Sequence, residues 1–259
     1  MSAPRPIHRV LSIGGHDPTG GAGLQADIEA ISAQHCRAFT LVTALTAQNT
    51  QKFFDMIPVD ATDFLRQAGR LLADIPMHAC KIGLIPDVSI AKALASLFTG
   101  HLAGCPVVLD PVLASGGGHV TADLPTREAI LKLLPHVAVL TPNSEEARKL
   151  TGEKELPRAA EALRRRGCMH VLITGTHEDT PQVLNTLYND TGAHTFACER
   201  LPHIYHGSGC TLASALAAHL ALGVPVPNAT QRALDYTWNT LKNAQHVGQG
   251  QWHPLRLLI

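Results

Sequence analysis

"HRVLSIGGHDPTGGAGLQADIEAISAQ", residues 8–34, decides the fold. Its first eight residues, "HRVLSIGG", read as the first strand. After a glycine-rich turn, Leu24, Ile28 and Ile31 recur at the interval of one helix face. A strand feeding a helix in this way is half of a βαβ unit, the building block of a parallel sheet. The pattern continues outward. "AFTLVTAL" reads as a second strand and "FFDMIPV" as a short third, before Asp60 caps the helix "ATDFLRQAGRLLAD", with Phe64, Ala68 and Leu71 on one face. The strands "HACKIGL", "PVVLDPV", "HVAVLT" and "MHVLITG" then alternate with the helices "VSIAKALASLF", "TREAILKLL" and those from Ser144 to Arg166. "MHVLITG" carries the continuous apolar run Val171–Ile173, as expected for a strand covered on both faces.

"VLNTLYNDTGAHTFACERL" breaks the rhythm. Two strand-like runs flank Asn189-Asp190-Thr191-Gly192, a hairpin signal that predicts an antiparallel edge on the parallel sheet. Helices around 209–222 and 227–245 follow, and a polar tail ends the chain. No internal repeat, low-complexity tract or linker interrupts the 259 residues, so one α/β domain over 1–259 is expected.

Lys and Arg total 21, and Asp and Glu also total 21. No basic surplus is present to neutralise a nucleic-acid backbone or an anionic membrane, so neither is expected as a partner. The N-terminal stretch has no signal-peptide form, and nowhere do about 18 apolar residues run uninterrupted, which predicts a soluble, cytoplasmic protein. The six cysteines are scattered through apparent core segments without a C-x-x-C pair and read as buried free thiols. The 15 histidines form no H-x-x-x-H or H-E-x-x-H pattern, so no dedicated metal cage is expected.

Five stretches can carry chemistry. "GGHDPTGGAGLQAD" joins the first strand to the first helix; its glycines permit close approach of backbone to a ligand, yet it matches neither the P-loop nor the dinucleotide fingerprint. In "TALTAQNT", Gln48 offers an acceptor and two donors, suited either to the edge of a heterocycle or to solvent in a loop. "VLDPVLASGGG" places Asp110 at the end of a buried strand, where ligands collect in parallel sheets, although a capping aspartate fits equally. "TPNSEEA" spaces Asn143 and Glu146 as a capping box, and the same spacing presents oxygen ligands able to hold Mg²⁺ through water.

"HGSGCTLASALAAHL" sets two glycines before a helix whose Ala213, Ala215, Ala217 and Ala218 allow close packing. Its N–H groups and helix dipole make either an anion site or simply a glycine-eased helix start. Cys210 read alone allows a nucleophile, with His206 four residues away, or a metal ligand.

Taken in order, "GHDPTGGAGLQADIEA", "VTALTAQNT", "KIGL", "VLDPV", "TPNSEEA" and "HGSGCTLASALA" resemble the hydroxymethylpyrimidine/phosphomethylpyrimidine kinases of thiamine biosynthesis, members of the ribokinase-like superfamily. The resemblance spans nearly the whole chain. It implies a three-layer α/β/α fold and transfer of the ATP γ-phosphoryl, with Mg²⁺, to 4-amino-5-hydroxymethyl-2-methylpyrimidine and then to its monophosphate. By position it implies that Gly15, Ala22, Asp27, Thr46, Gln48, Leu84 and Val112 line the pyrimidine pocket. Asp110, Asn143, Glu146, Thr174 and Gly175 fall to ATP and Mg²⁺, with Asp110 and Glu146 the metal-organising pair. Gly207, Ser208, Gly209 and Cys210 form the anion hole, with Cys210 nearest the attacking hydroxyl. A thiol of ordinary pKa, about 8.5, is an awkward base there. The resemblance also implies a homodimer through the edge strands near "AFTLVTAL".

The chain departs from the family's commoner pattern at four places. Leu84 stands where methionine is usual, and Ser208 where threonine is usual. The "ASGGG" run lacks a lysine, and Thr174 replaces another that would face the ATP phosphates. Two alternatives to the pyrimidine kinase follow: a pyridoxal or pyridoxine kinase, whose substrates are also flat heteroaromatic alcohols, and a non-catalytic pyrimidine-binding sensor that has lost phosphoryl transfer along with those lysines.

Overall fold

The computed structural model describes residues 7–114 and 121–257. Residues 115–118 of the "ASGGG" run lie outside them. The first βα unit forms as its sequence requires: β1 (Arg9–His16) leads through the glycine turn into α1 (Gly23–Ala33). There follow β2 (Arg37–Gln48), β3 (Phe53–Pro58), α2 (Ala61–Asp74), β4 (Ala79–Ile82), α3 (Val88–Thr99), β5 (Val107–Leu109) and α4 (Leu124–Leu131). The second half holds β6 (Val139–Leu140), α5 (Ser144–Thr151), α6 (Leu156–Arg165), β7 (His170–Ile173), β8 (Gln182–Asn189), β9 (Gly192–Glu199), α7 (Ser208–Ala221) and α8 (Val226–Lys242).

The strands form one sheet in the order β3-β2-β1-β4-β5-β6-β7-β8-β9. β2, β1, β4, β5, β6 and β7 are mutually parallel. β8 and β9 form the expected antiparallel hairpin, with Asn189 opposite Gly192. The other edge is antiparallel too, because β3 returns along β2.

Within the strands, side chains alternate between two cores, as the pleat demands. Leu11, Ile13, Ile82, Leu109, Leu140 and Val171 pack on one face with Phe64 of α2, Ile90 and Leu94 of α3, Ile130 of α4 and Leu163 of α6. Val10, Ala79, Val108, Val139 and Leu172 pack on the other with Ile31 of α1, Leu212 and Leu216 of α7, and Ala229 and Ala233 of α8. The layers are therefore α/β/α. Ala213, Ala215, Ala217 and Ala218 of α7 are fully buried, which lets the helix lie close to α1, α8 and the sheet.

Three local expectations are corrected. "PVVLDPV" does not continue as a strand to Val112: β5 ends at Leu109, because Pro111 lacks an N–H and Val112 takes φ +34°. "TREAILKLL" ends as a helix at Leu131 and gives way to a 3-10 turn, Leu134–His136, that contains Pro135. Thr46 and Gln48 are not in a loop but on β2, paired with β3.

The polar tail is also more than a terminus. Arg256 is buried, donating to the carbonyls of Gly20 and Gly21, to Thr211 Oγ1 (2.8 Å) and to Glu29 (3.1 Å). It thereby ties the β1–α1 turn to the start of α7. Arg256→Met leaves those carbonyls and Glu29 without their partner and is expected to cost about 3 kcal/mol in urea unfolding. An unchanged midpoint would show that the tail does not hold this corner.

Candidate active site

The carboxyl ends of the parallel strands deliver the site, where open α/β sheets bind ligands. Asp17 follows β1, Asp110 follows β5, Asn143 lies just past β6 and Thr174 directly follows β7. Residues 143 and 174 are brought side by side by a parallel bridge, with Ser144 N donating to the Thr174 carbonyl at 3.0 Å. These ends open onto a cavity of about 710 Å³. Of the residues singled out from sequence, Gly15, Ala22, Thr46, Gln48, Leu84, Val112, Asp110, Asn143, Glu146, Thr174, Gly207, Ser208, Gly209 and Cys210 line it. Asp27 and Gly175 are not in the lining; both are buried behind it.

At one end, Gly15 lies under Leu84, where a Cβ would come 2.8 Å from the leucine side chain. Thr46 donates to the His16 carbonyl (2.9 Å), and Gln48 Nε2 donates to Thr46 Oγ1 (2.9 Å). That bond orients the amide and leaves its carbonyl and second N–H for a ligand. Val112, a β-branched residue at positive φ, carries backbone strain at the cavity wall, held by a bond from Thr121 to its carbonyl.

At the centre, α7 begins with Gly207 in the left-handed region (φ +79°), and no side chain caps the helix. Its first-turn N–H groups are therefore open to an anion. A Cβ on Gly209 would lie 3.3 Å from Asp110 Oδ2, so the aspartate sits against this helix start. Burial and then the charge of Glu146 push Asp110 up to about 7, against the pull of Lys81. Glu146 is raised as well, by burial, although it accepts N–H bonds from Asn143 (2.9 Å) and Leu113 (3.1 Å). Asn143 returns a bond from Glu146 N at 2.9 Å, so the capping box is real and the same carboxylate lines the cavity. Burial raises the Cys210 thiol to about 11, with Lys81 opposing. At neutral pH it stays protonated, which makes it a poor proton acceptor.

The profile of the phosphomethylpyrimidine kinase family matches residues 17–255. The chain belongs to this family. A hydroxymethylpyrimidine/phosphomethylpyrimidine kinase of Haemophilus influenzae is 34% identical, covering 94% of this chain and 94% of that relative. The bifunctional thiamine biosynthesis protein ThiED of Geobacter sulfurreducens is also 34% identical over 96% of this chain, which spans about half (52%) of that longer relative. Among solved structures, an ADP complex of Bacillus subtilis pyridoxal kinase superposes with a TM-score of 0.89 at 28% identity, covering 96% of this chain and 97% of that one. A phosphomethylpyrimidine kinase of Clostridium difficile gives 0.79 at 29% identity, covering 90% and 99%.

Several groups of this kinase-family site were not singled out from sequence. Lys81, from "KIGL", is buried with Nζ 2.8 and 2.9 Å from the two carboxylate oxygens of Asp27, which also accepts from Ser12 (2.6 Å) and Ser214 (2.7 Å). Asp27 is thus the anchor of a buried ion pair. The signal was a lysine inside the otherwise apolar strand Ala79–Ile82. His206 does not stand as a base for Cys210: its Nε2 bonds Asp17 Oδ2 at 2.7 Å, joining the glycine turn to the anion loop. Burial alone would raise Asp17, but the His206 bond and the N–H groups of Thr19 and Ala22 bring it below the usual carboxylate value. Beyond α7 the cavity continues along Leu234, Thr237, Trp238 and Leu241 of α8, residues that no motif marked.

Proposed function

We propose that residues 1–259 act as one catalytic domain that phosphorylates 4-amino-5-hydroxymethyl-2-methylpyrimidine with ATP and Mg²⁺, and then phosphorylates the monophosphate to the diphosphate. The observation that carries this reading is the convergence in one cavity of an uncapped glycine-led helix start, the Asp110/Glu146 pair and the Gln48 amide. Gly15, Leu84 and Val112 sandwich the flat ring, and Gln48 pairs with its amino edge. ATP lies along α8 with its phosphates toward Gly207–Cys210, beside Asn143 and Thr174.

The donor set fits a divalent cation. Two carboxylates raised by burial, Asp110 also by the charge of Glu146, face the cavity, and Mg²⁺ takes one or two carboxylates together with phosphate oxygens and water. When bound, Mg²⁺ neutralises charge on the phosphates. The residues do the positioning. The hydroxymethyl oxygen attacks the γ-phosphorus, the bond to the bridging oxygen breaks, and its electron pair leaves with ADP. The open N–H groups of α7 meet the charge that develops. The transition state is loose, so the alcohol needs little activation and its proton can pass late, to a phosphate oxygen or solvent, because the Cys210 thiol is already protonated and Asp110 is taken up with the cation.

A pyridoxal kinase is the second reading, favoured by the higher TM-score to the Bacillus enzyme. Comparing kcat/KM for the two alcohols separates them. The pyrimidine is expected to be preferred by about 10-fold or more, on the scale of one well-placed pocket contact; a preference for pyridoxal would overturn the assignment.

The protein acts as a homodimer in this reading, covering the β2–β3 edge. Leu45, Phe54 and Ile57 are each about half exposed or more there, on an edge that invites pairing. Light scattering should return twice the chain mass, and Phe54→Glu should return the monomer; a monomeric wild type contradicts it. No helix among the described residues is long and apolar enough to cross a membrane. Action in the cytoplasm on a small molecule belongs to the same proposal.

A further inference from the structure

Thr174 gives the cavity wall beside Asn143 a hydroxyl and no charge, which leaves side-chain cations to other positions of the lining. The basic groups of the cavity can be taken in turn. Arg200 spends its guanidinium on the carbonyls of Thr176, Glu178 and Thr180. His206 is bound to Asp17. His16, His177 and His203 sit at exposed positions on the rim.

Lys81 differs from all of these. It lines the cavity beside Gly14, Gly15, Asp110 and Cys210, yet it is only 1% exposed. The Asp27 carboxylate, itself buried, faces Nζ at 2.8 and 2.9 Å and forms a buried ion pair with the ammonium. Two of its three N–H groups are engaged by the two Asp27 oxygens, which leaves the third without a partner among the described residues. Gly83 secures the space: a Cβ there would stand 2.7 Å from Nζ. Asp27 is itself held from β1 and α7 through Ser12 and Ser214, so the ammonium is fixed relative to the helix start that carries the anion hole.

We propose that Lys81 is a catalytic residue, whose free N–H binds an equatorial oxygen of the phosphoryl group as it passes from ATP to the acceptor. A pre-positioned charge of this kind in a dry site stabilises the transition state and needs no reorganisation. This inference rests on the kinase reading above. The competing account makes Lys81 only the structural partner of Asp27. A buried pair of that kind can often be replaced by neutral side chains with no loss.

The test compares Lys81→Met with the double variant Asp27→Asn/Lys81→Met, in which no unpaired charge is left buried, so the question survives if the single variant unfolds. Turnover is measured alongside calorimetric binding of the pyrimidine alcohol, of a non-hydrolysable ATP analogue, and of ADP with fluoroaluminate, a mimic of the transferring group. The double variant is expected to fold and to bind alcohol and ATP analogue within about threefold of wild type. Its kcat and its affinity for the fluoroaluminate complex should fall about 100-fold, the size of one lost oxyanion donor. A double variant that keeps kcat, or that loses alcohol binding instead of the mimic, overturns the role of Lys81 while the kinase reading stands. A wild type that neither turns over nor binds the mimic removes both.

Discussion

Gly207→Val is expected to lower turnover by about a thousandfold and to weaken ATP-analogue binding in parallel, the largest effect of any single substitution in the site. Two independent constraints meet at this residue. Its φ of +79° is closed to a β-branched side chain. A Cβ would also overlap the Gly21 carbonyl and approach Ala22 Cα and Arg256 Nη2 to 2.9 Å. The loop cannot yield by moving outward without breaking the Arg256 clamp, so the start of α7 must shift, and its open N–H groups with it. Stability should fall too, by about 2–4 kcal/mol for strain and overpacking together. Comparing kcat with the urea midpoint separates the two losses. A variant with near-normal kcat would mean that the helix start does not hold phosphate.

Asp110→Asn is expected to cost about 100-fold or more in kcat while making the ligand-free protein more stable at pH 8. The sign follows from the carboxyl's position. Its folded pKa of about 7 lies above the ordinary value of 3.8, so between those values the native state holds a proton that the unfolded chain has released. Stability therefore falls as pH rises through that window, and the penalty remains in full above it. Asparagine removes the penalty, a gain on the order of a few kcal/mol at pH 8 that shrinks toward zero near pH 4. Mg²⁺ should raise the thermal midpoint of the wild type at pH 8 but barely move that of Asp110→Asn. Equal stability of the two at pH 8 would contradict the view that the Asp110/Glu146 pair is destabilising without its cation.

The fold was legible because burial on both faces leaves a direct trace in sequence. Val171–Ile173 is an apolar run buried on both faces, and α1 buries Leu24 and Ile31 of its helical spacing, although Ile28 of the same pattern is exposed. The boundaries were less legible where a single residue overrides the run. Pro111 and the strained Val112 end β5 three residues early, and β3 turns "TALTAQ" from loop into strand by pairing with it. The site was legible where chemistry sits beside a strand end: Asp110, the Asn143/Glu146 pair and Gly207–Cys210 all line one cavity. Lys81 and Arg256 were not, because what gives them meaning is long-range. Lys81 meets Asp27 across 54 residues, and Arg256 meets Gly20 across 236. Asp27 was attached to the pocket by position alone, whereas its oxygens are occupied by Ser12, Lys81 and Ser214 beneath it.

Phosphoryl transfer itself is read out by incubating the purified protein with ATP, Mg²⁺ and 4-amino-5-hydroxymethyl-2-methylpyrimidine and following products by phosphorus NMR. A monophosphate signal followed by a diphosphate signal, with ADP formed in step, is the predicted result. Tight binding of the pyrimidine with no phosphoryl transfer, under conditions where a related kinase turns over, would contradict it.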